Sequence, residues 1–438
     1  MNQAQGQLRD FGSSTEATTR RFGEVGKAAA KVGAGVAAGI GLAVKTAADF
    51  ESSMSRVKAL SGASGKELEQ LTAKAKELGE TTSFSASQSA EAMQFLAMAG
   101  FETNDIVSAM PGLLSTAAAG QVELGQAADI TSNILSAFGI EASETGRVAD
   151  VLTKTFTSSN TSLEMLGYTM KYVAPVANAA GLSLEEMSAA AGILGNAGIQ
   201  ADQAGTSLRS TILRMIKPPK MAADAMAELD LNVLDASGNL LPLAEIIQQV
   251  NQKTKDMTSA QRAEIAAMLA GTEAASGFLT LMDAGADELK EFTSELENSG
   301  GTAKAVADTQ LDNLSGAMTK LKSALEGAAI SFGSALLPAI RTVAESITKM
   351  VGVFNSLPEP VKNAIAVVAA AGAVLLIVGG ALGMIIGFIT SIMAGLSTLA
   401  GGFAALTGPV GIAVAAVAAL IAIGTTLYLK WDEIKAYL

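Results

Sequence analysis

The side chains that could carry out chemistry in this sequence are of few kinds. The 438 residues include no histidine and no cysteine. Their absence excludes a Ser-His-Asp triad, a cysteine nucleophile, disulfide bonds and ordinary zinc or haem sites. This composition does not exclude a catalytic site made of paired carboxylates or of a Ser-Lys dyad. Glu185, Glu186 and Asp129 are the carboxylates to nominate for such a site.

The setting of these carboxylates favours a structural role. Glu185 and Glu186 follow Ser183 at a predicted helix start, where acidic side chains suit the helix dipole. Asp129 fits the solvated face of a predicted helix. We therefore predict that the chain is not an enzyme, that it uses no cofactor, and that it has no catalytic, cofactor-binding or metal-binding residues.

The composition predicts an all-α protein. Aromatic residues make up only 4% of the chain, and the 49% that is apolar consists mostly of Ala, Leu, Val, Ile and Met. Ala, Leu and Met are strong helix formers. The net charge of -12 argues against a protein that binds nucleic acid by neutralising phosphates, although DNA could still pass nearby. The polar N-terminus shows no secretory signal, which predicts synthesis in a cytoplasm.

Residues 49–255 are expected to form a compact helical core domain, because helix starts and stops recur along them. Four residue pairs have the capping-box spacing: Ser64 with Glu67, Ser85 with Gln88, Thr161 with Glu164, and Ser183 with Glu186. Five glycines follow apolar stretches as helix ends do: Gly79, Gly100, Gly120, Gly139 and Gly181. Residues Asn232 to Leu241 predict a small hairpin or turn.

Two further segments flank this predicted core. Residues 1–48 form a Gly/Ala-rich leader, either a helix that packs closely through Gly35 and Gly39 or a weakly helical segment. Residues 256–360 predict an elongated helical linker, with a kink or helix end at Pro338. Within it a heptad-like seam indicates either a coiled coil or helix bundle, or one buried helix face of a single chain. The seam consists of Leu311, Leu314, Met318, Leu321, Leu325, Ala328 and Phe332.

Residues 361–438 predict hydrophobic helices. Two apolar stretches, 364–393 and 410–429, are long enough to cross a bilayer as a helical hairpin. Four residues are candidates for helix packing or for contact with a membrane: Gly379, Gly383, Gly387 and Trp431. The glycines recur every four residues, which permits close helix contact, and tryptophan is typical of a membrane interface. Burial against copies of the same helices inside a protein tube is the alternative.

Several short stretches, in this order, resemble the core region of phage tail tape-measure proteins of the TP901 type. They lie between Ala48 and about Val250 and include Leu78 to Thr82, Ala97 to Phe101, Arg147 to Asp150, Lys171 to Ala177, and Ala204 to Arg209. The apolar end, from Gly408 to Lys435, resembles the region that often follows this core. Such proteins commonly run further, so a short tape, a fragment and the front part of a longer protein all remain open.

The resemblance implies a structural protein of the virion tail lumen, made in the host cytoplasm. In this family several copies lie along the tail axis as a homo-oligomer, and tail subunits polymerise around them until the tape ends. The implied partners are the tail tube protein, the tail assembly chaperone and the baseplate or tail-tip proteins. On ejection the apolar end is expected to help DNA, a transient partner, cross the host inner membrane.

A pore-forming toxin or secreted effector is the alternative from another functional class. Such proteins also join a helical bundle to a hydrophobic hairpin. Permeabilisation of liposomes by the purified chain, without any tail component, would favour this alternative.

Overall fold

The computed structural model describes residues 39–356 and residue 359. In this part of the chain the regular structure is helical, apart from one isolated antiparallel bridge, so the predicted all-α class is confirmed. The first helices are α1 (39–61), α2 (Lys66–Thr81), α3 (Ala86–Met98), α4 (Thr103–Gly120), α5 (Leu124–Phe138), α6 (Thr145–Ser158), α7 (Leu163–Ala179) and α8 (Leu184–Asn196).

The remaining helices follow, and the last of them is the longest in the described chain. They are α9 (Ala201–Ile216), α10 (Lys220–Glu228), α11 (Leu243–Thr254), α12 (Ser259–Ala270), α13 (Ala275–Ala284), α14 (Ala286–Glu297), α15 (Thr302–Leu311) and α16 (Leu314–Ser356). A short 3-10 helix, Ala142–Glu144, precedes α6. Pro338 lies inside α16, so the predicted helix end at this proline is wrong. A proline removes only one backbone hydrogen bond, and the turns on either side continue the helix.

The chain divides into two compact units. One is Asp49–Gly327, and the other includes, among the described residues, 39–48 and 328–356. In the first unit, α7 packs on α9, α4 on α6, and α5 on both α3 and α7. Helices α12 to α15 pack on the same bundle, against α9, α8, α6 and α4. Helices α12 to α15, which lie in the first part of the predicted linker 256–360, thus pack on this bundle.

Glycine lets two pairs of elements come into backbone contact in this unit. A Cβ atom at Gly79, inside α2, would lie 2.5 Å from the backbone nitrogen of Ala86 at the start of α3. A Cβ atom at Gly205 of α9 would lie 2.6 Å from the carbonyl oxygen of Thr169 in α7. Both glycines belong to the stretches that carry the family resemblance. Their role here is close packing of backbones.

The predicted helix stops are partly correct. Gly100, Gly139 and Gly181 follow α3, α5 and α7 with left-handed backbone angles of 89°, 65° and 81° in φ. The predicted stop at Gly79 is wrong, since α2 continues to Thr81 and uses this glycine for packing. Gly120 is the last residue of α4, and Gln121 takes the left-handed position after it.

The predicted helix starts also have mixed outcomes. Ser85 and Gln88 form the complete capping box of α3. At α2, only the return bond forms, from the Ser64 backbone N–H to the Glu67 carboxylate. Capping of α7 shifts by one residue, because the Ser162 side chain accepts the cap bond where Thr161 was expected to do so. Neighbouring hydroxyl residues offer the backbone nearly equivalent caps, and the packed position of the helix selects one.

The predicted hairpin between Asn232 and Leu241 is confirmed. Leu234 and Leu240 form an antiparallel bridge. In the turn between them, the carboxylate of Asp235 accepts hydrogen bonds from the backbone N–H groups of Ser237 and Asn239, each 2.8 Å long. These bonds, with the Asn239 N–H as the largest cause, lower the pKa of the exposed Asp235 carboxyl below its ordinary value.

Candidate functional site

The first part of α16 binds its unit through small and polar residues. Ser323 donates a 3.0 Å hydrogen bond to the carbonyl oxygen of Ser83, and the backbone N–H of Ser87 donates a 3.2 Å bond to Glu326. A Cβ atom at Gly316 would lie 2.1 Å from the carbonyl oxygen of Leu311, so this position requires glycine. The helix face that packs inward is therefore not the apolar one.

Leu311, the first predicted seam residue, ends α15, whereas the next four lie on the outer face of the first part of α16. Leu314 is 77% exposed and Leu321 is 47% exposed, while Met318 and Leu325 are half-buried. Leu314 and Leu321 are thus not buried within this chain. We define the outer apolar face as Leu314, Met318, Leu321 and Leu325. Apolar side chains at this spacing on an exposed helix are typical of a surface that another helix covers.

The second unit shows the same arrangement along the rest of α16. Ile330 is buried, and a Cβ atom at Gly333 would lie 2.2 Å from the carbonyl oxygen of Ala43 in α1. Phe332, a predicted seam residue, is exposed. Ile340 and Val351 are also exposed further along the helix. In this unit too, the inward face uses glycine contact and the outward face carries large apolar side chains.

One stretch of the described chain is long and apolar enough to cross a membrane, namely Leu314–Thr342 within α16. Helices α12 and α13 pass the same test only if they are taken together, and they meet at 119°. The two spans predicted from the sequence, 364–393 and 410–429, lie outside the described residues. The same is true of the four residues nominated for packing or membrane contact: Gly379, Gly383, Gly387 and Trp431.

The nominated carboxylates do not form a catalytic pair. Glu185 forms an ion pair with Arg147, and the buried Glu186 accepts a hydrogen bond from the backbone N–H of Leu243. Asp129 lies on the surface of α5 and accepts a 3.1 Å bond from Asn133. Burial raises the pKa of Glu186 above its ordinary value. Each carboxylate thus has a structural partner of its own.

No cluster of acidic side chains that could hold a metal ion occurs in the described chain. A cleft of about 560 Å³ lies in the first unit between the α2–α3 turn, the α4–α5 turn and α16. Its lining includes Ser85, Gln121 and Lys322. None of the three nominated carboxylates lines this cleft. Sequence reasoning also missed a mixed basic and apolar corner between α9 and α10, which the spacing of Arg209, Leu213 and Ile216 could have indicated.

Known proteins similar to this chain come from phage tails. The phage-related minor tail protein family matches residues 72–271. A tape measure protein of Pneumococcus phage Dp-1 is 36% identical over 400 residues, which is 90% of this chain and 34% of that protein. A probable tape measure protein of Escherichia phage P2 is 29% identical over 80% of this chain and 43% of its own length.

A third relative agrees with these two. A probable tape measure protein of Clostridium phage phiCD119 is 26% identical over 82% of this chain and 37% of its own length. The chain thus spans between about a third and two fifths of the curated relatives it matches. No solved structure matches it. These relatives confirm the resemblance to tape-measure proteins, and residues 72–271 match the phage-related minor tail protein family.

Proposed function

We propose that this chain acts as a tape-measure protein that sets tail length during assembly inside the tail tube. The observation that carries the proposal is similarity to the Dp-1 tape measure protein over 90% of the chain. A structural, non-enzymatic role also fits the carboxylates, each of which stabilises a helix or an ion pair. On this proposal the chain resides in the lumen of the virion tail.

The outer apolar face of α16 supports the proposal that several copies associate along the tail axis. Exposed leucines such as Leu314 and Leu321 are costly in water and gain free energy when a second helix covers them. Lengthwise association of α16 helices would place copies side by side. Inside the tail tube, the chain would also contact the tail tube protein, the tail assembly chaperone and the baseplate or tail-tip proteins.

On this proposal, the length of the α16 helix contributes directly to the length of the tail. The helix has 43 residues, and a rise of ~1.5 Å per residue makes it roughly 65 Å long. The compact bundle of helices α2 to α15 contributes far less length per residue than an extended helix does. Changes in helix length within α16 should therefore alter the tail, whereas changes within the bundle should not.

Insertion and deletion of heptads in α16 test this relation. Removing Leu336 to Lys349, which is two heptads, should shorten the tail by about 21 Å for a helix that runs along the axis. Inserting two heptads at the same place should lengthen it equally. The matched control inserts the same number of residues between Ser237 and Gly238, in the exposed hairpin turn. Electron micrographs that show equal tail lengths for all three phages would reject α16 as part of the ruler.

We further propose that the apolar end, residues 364–429, helps DNA cross the host inner membrane after ejection. This stretch contains no charged residue, and leaving it in water would be costly. In the virion it would be shielded by packing against other copies or by a chaperone. DNA would then be a transient partner that follows the tape.

An arginine at Gly383 tests membrane entry. A charge near the bilayer centre costs a few kcal/mol, on the order of 3 on insertion scales, so Gly383→Arg should reduce DNA delivery. Gly402→Arg, in the connection between the two predicted spans, is the matched control and should deliver DNA normally. Tails must be counted first, so that failed assembly is separated from failed delivery. Normal delivery by assembled Gly383→Arg particles would reject insertion of this face.

A further inference from the structure

A corner between α9 and α10 carries exposed apolar and basic side chains together. We define the basic corner as Arg209, Leu213, Ile216, Lys217, Lys220 and Met221, all of them exposed. Met221 is 61% exposed. The first three follow at intervals of four and three residues, so they share one face of α9. This corner is separate from the outer apolar face of α16.

Contacts on the inner side of α9 hold this helix, which carries most of the basic corner, against α7 and α12. Gly205 brings α9 into backbone contact with Thr169 of α7. On the other side, Ser210 donates a 2.8 Å bond to the carbonyl oxygen of Ala270, and Arg214 donates a 3.2 Å bond to that of Leu269. The Arg214 side chain therefore bonds within the fold and is not part of the basic corner. The outward residues of α9 need little further ordering before they bind a partner.

Two prolines precede the part of the basic corner that lies at the start of α10. Pro218 and Pro219 separate the helices, and Pro219 is the residue before the first turn of α10. Their fixed φ angles restrict how α10 leaves α9. Fewer backbone rotations are therefore free between Ile216 and Lys220.

The cations of this corner are available to an acidic partner. Arg209 and Lys217 form no ion pair with any described residue, and Lys220 reaches Asp224 only at 4.0 Å with both side chains largely exposed. The chain as a whole carries a net charge of -12. A cluster of cations beside exposed apolar groups in such a chain favours a partner surface that is acidic and partly apolar.

Another copy of this chain offers such a surface on α14. Asp287, Glu288 and Glu291 are exposed on one stripe of that helix and form no ion pair within the described residues. Half-buried Ala284 and Ala286 lie beside them and can receive apolar side chains. The stripe and the basic corner form no ion pair with each other within one copy, because α14 packs on α8 and α11 while α9 packs on α7 and α12.

We propose that the basic corner of one copy binds the acidic α14 stripe of a second copy. The contact joins different surfaces of the two copies, so it repeats around an axis and closes into a ring where the rotation permits. This deepens the proposed function, on which it rests, because it specifies how neighbouring copies in the tail are joined at their bundles. It is independent of the contact along α16.

Charge reversal tests the contact in the purified full chain, kept in detergent micelles. Lys217→Glu with Lys220→Glu, or Glu288→Lys with Glu291→Lys, should weaken self-association by at least about 10-fold in sedimentation at low salt. All four substitutions in one chain should restore it, since the charges are then exchanged. Lys66→Glu with Lys255→Glu makes the same charge change on exposed lysines elsewhere and should have no effect. Wild-type association by both reversed chains would overturn the proposal.

Engineered cysteines give a second test, for which a cysteine-free chain is well suited. A chain that carries both Met221→Cys and Glu288→Cys should form disulfide-linked species larger than a dimer. Either substitution alone should give little crosslinking. Equal crosslinking by a single-cysteine chain would contradict the proposed pairing. Both tests use purified chain without tails, so the tail-length experiment can fail while this contact holds, and the reverse.

Discussion

The carboxylate of Glu186 in α8 accepts a hydrogen bond from the backbone N–H of Leu243, the first residue of α11. Fifty-seven positions separate the two residues in the sequence. Ser183 caps the start of α8 by accepting from the backbone N–H of Glu186, so Glu186 could have completed a local capping box. It instead satisfies a donor of another helix, and thereby joins α8 to α11.

Replacement of Glu186 by Gln should stabilise the fold at neutral pH. Burial raises the pKa of Glu186 in the folded chain, so the folded state disfavours the ionised form relative to the unfolded state. The wild type therefore loses stability as the pH rises above the ordinary value of 4.5, and Gln removes this loss while keeping an oxygen acceptor for Leu243. Urea denaturation between pH 4 and pH 7 should show a difference that grows with pH.

Glu186→Ala is the control for the hydrogen bond itself. It leaves the Leu243 N–H without its acceptor and should cost about 1–3 kcal/mol relative to Glu186→Gln. If Ala and Gln gave equal stability at every pH, the carboxylate would not cap α11.

Gly205→Ala should destabilise the contact between α7 and α9. The added Cβ would lie 2.6 Å from the carbonyl oxygen of Thr169, which is backbone and cannot rotate away. Overpacking of this kind costs roughly 1–3 kcal/mol. Gly146→Ala, near the start of α6, is the matched control because nothing lies within 4 Å of its added Cβ. The control should be neutral or stabilising by up to about 1 kcal/mol, and equal losses in thermal unfolding would contradict the role assigned to Gly205.

Local patterns in the sequence were sufficient to predict the helical class and several helix ends. Ser85 with Gln88, and the glycine at position 139, depend only on neighbours along the chain, and both predictions are confirmed. Gly79 could not be assigned in this way, because its use depends on the approach of Ala86 after a turn. Glu186 is similar, since its acceptor role requires a helix that begins far along the sequence.

The seam on α16 shows that an amphipathic pattern predicts an apolar helix face but not whether that face packs inward. The spacing of the seam predicted an apolar helix face, and the exposed side chains of Leu321 and Phe332 both lie on such a face. The spacing could not show which face packs inward. Contact through Ser323 decides this, because its small side chain permits a close approach and a direct hydrogen bond to the carbonyl oxygen of Ser83.

Asp150 connects α6 to the start of α15 and should contribute to stability. Its carboxylate accepts hydrogen bonds of 2.8 Å from the backbone N–H groups of Gly301 and Ala303. Asp150→Ala removes the acceptor for two helix-start donors and should cost about 1–3 kcal/mol in urea denaturation. Asp308→Ala, which loses only an exposed ion pair with Lys304, should cost well under 1 kcal/mol. A smaller loss for Asp150→Ala than for this control would show that α15 begins without the cap.

Polar substitution of the outer apolar face of α16 should separate association from folding. Leu314→Ser with Leu321→Ser replaces side chains that are already exposed, so each should change the free energy of unfolding by no more than about 0.5 kcal/mol. Self-association of the full chain, measured by sedimentation in detergent, should fall because the apolar area that a second helix would cover is lost. Ile330→Ala, at a fully buried position of the same helix, should instead destabilise by about 2–5 kcal/mol. If the double variant unfolds like Ile330→Ala and associates like the wild type, α16 packs through its leucines and the outward assignment is wrong.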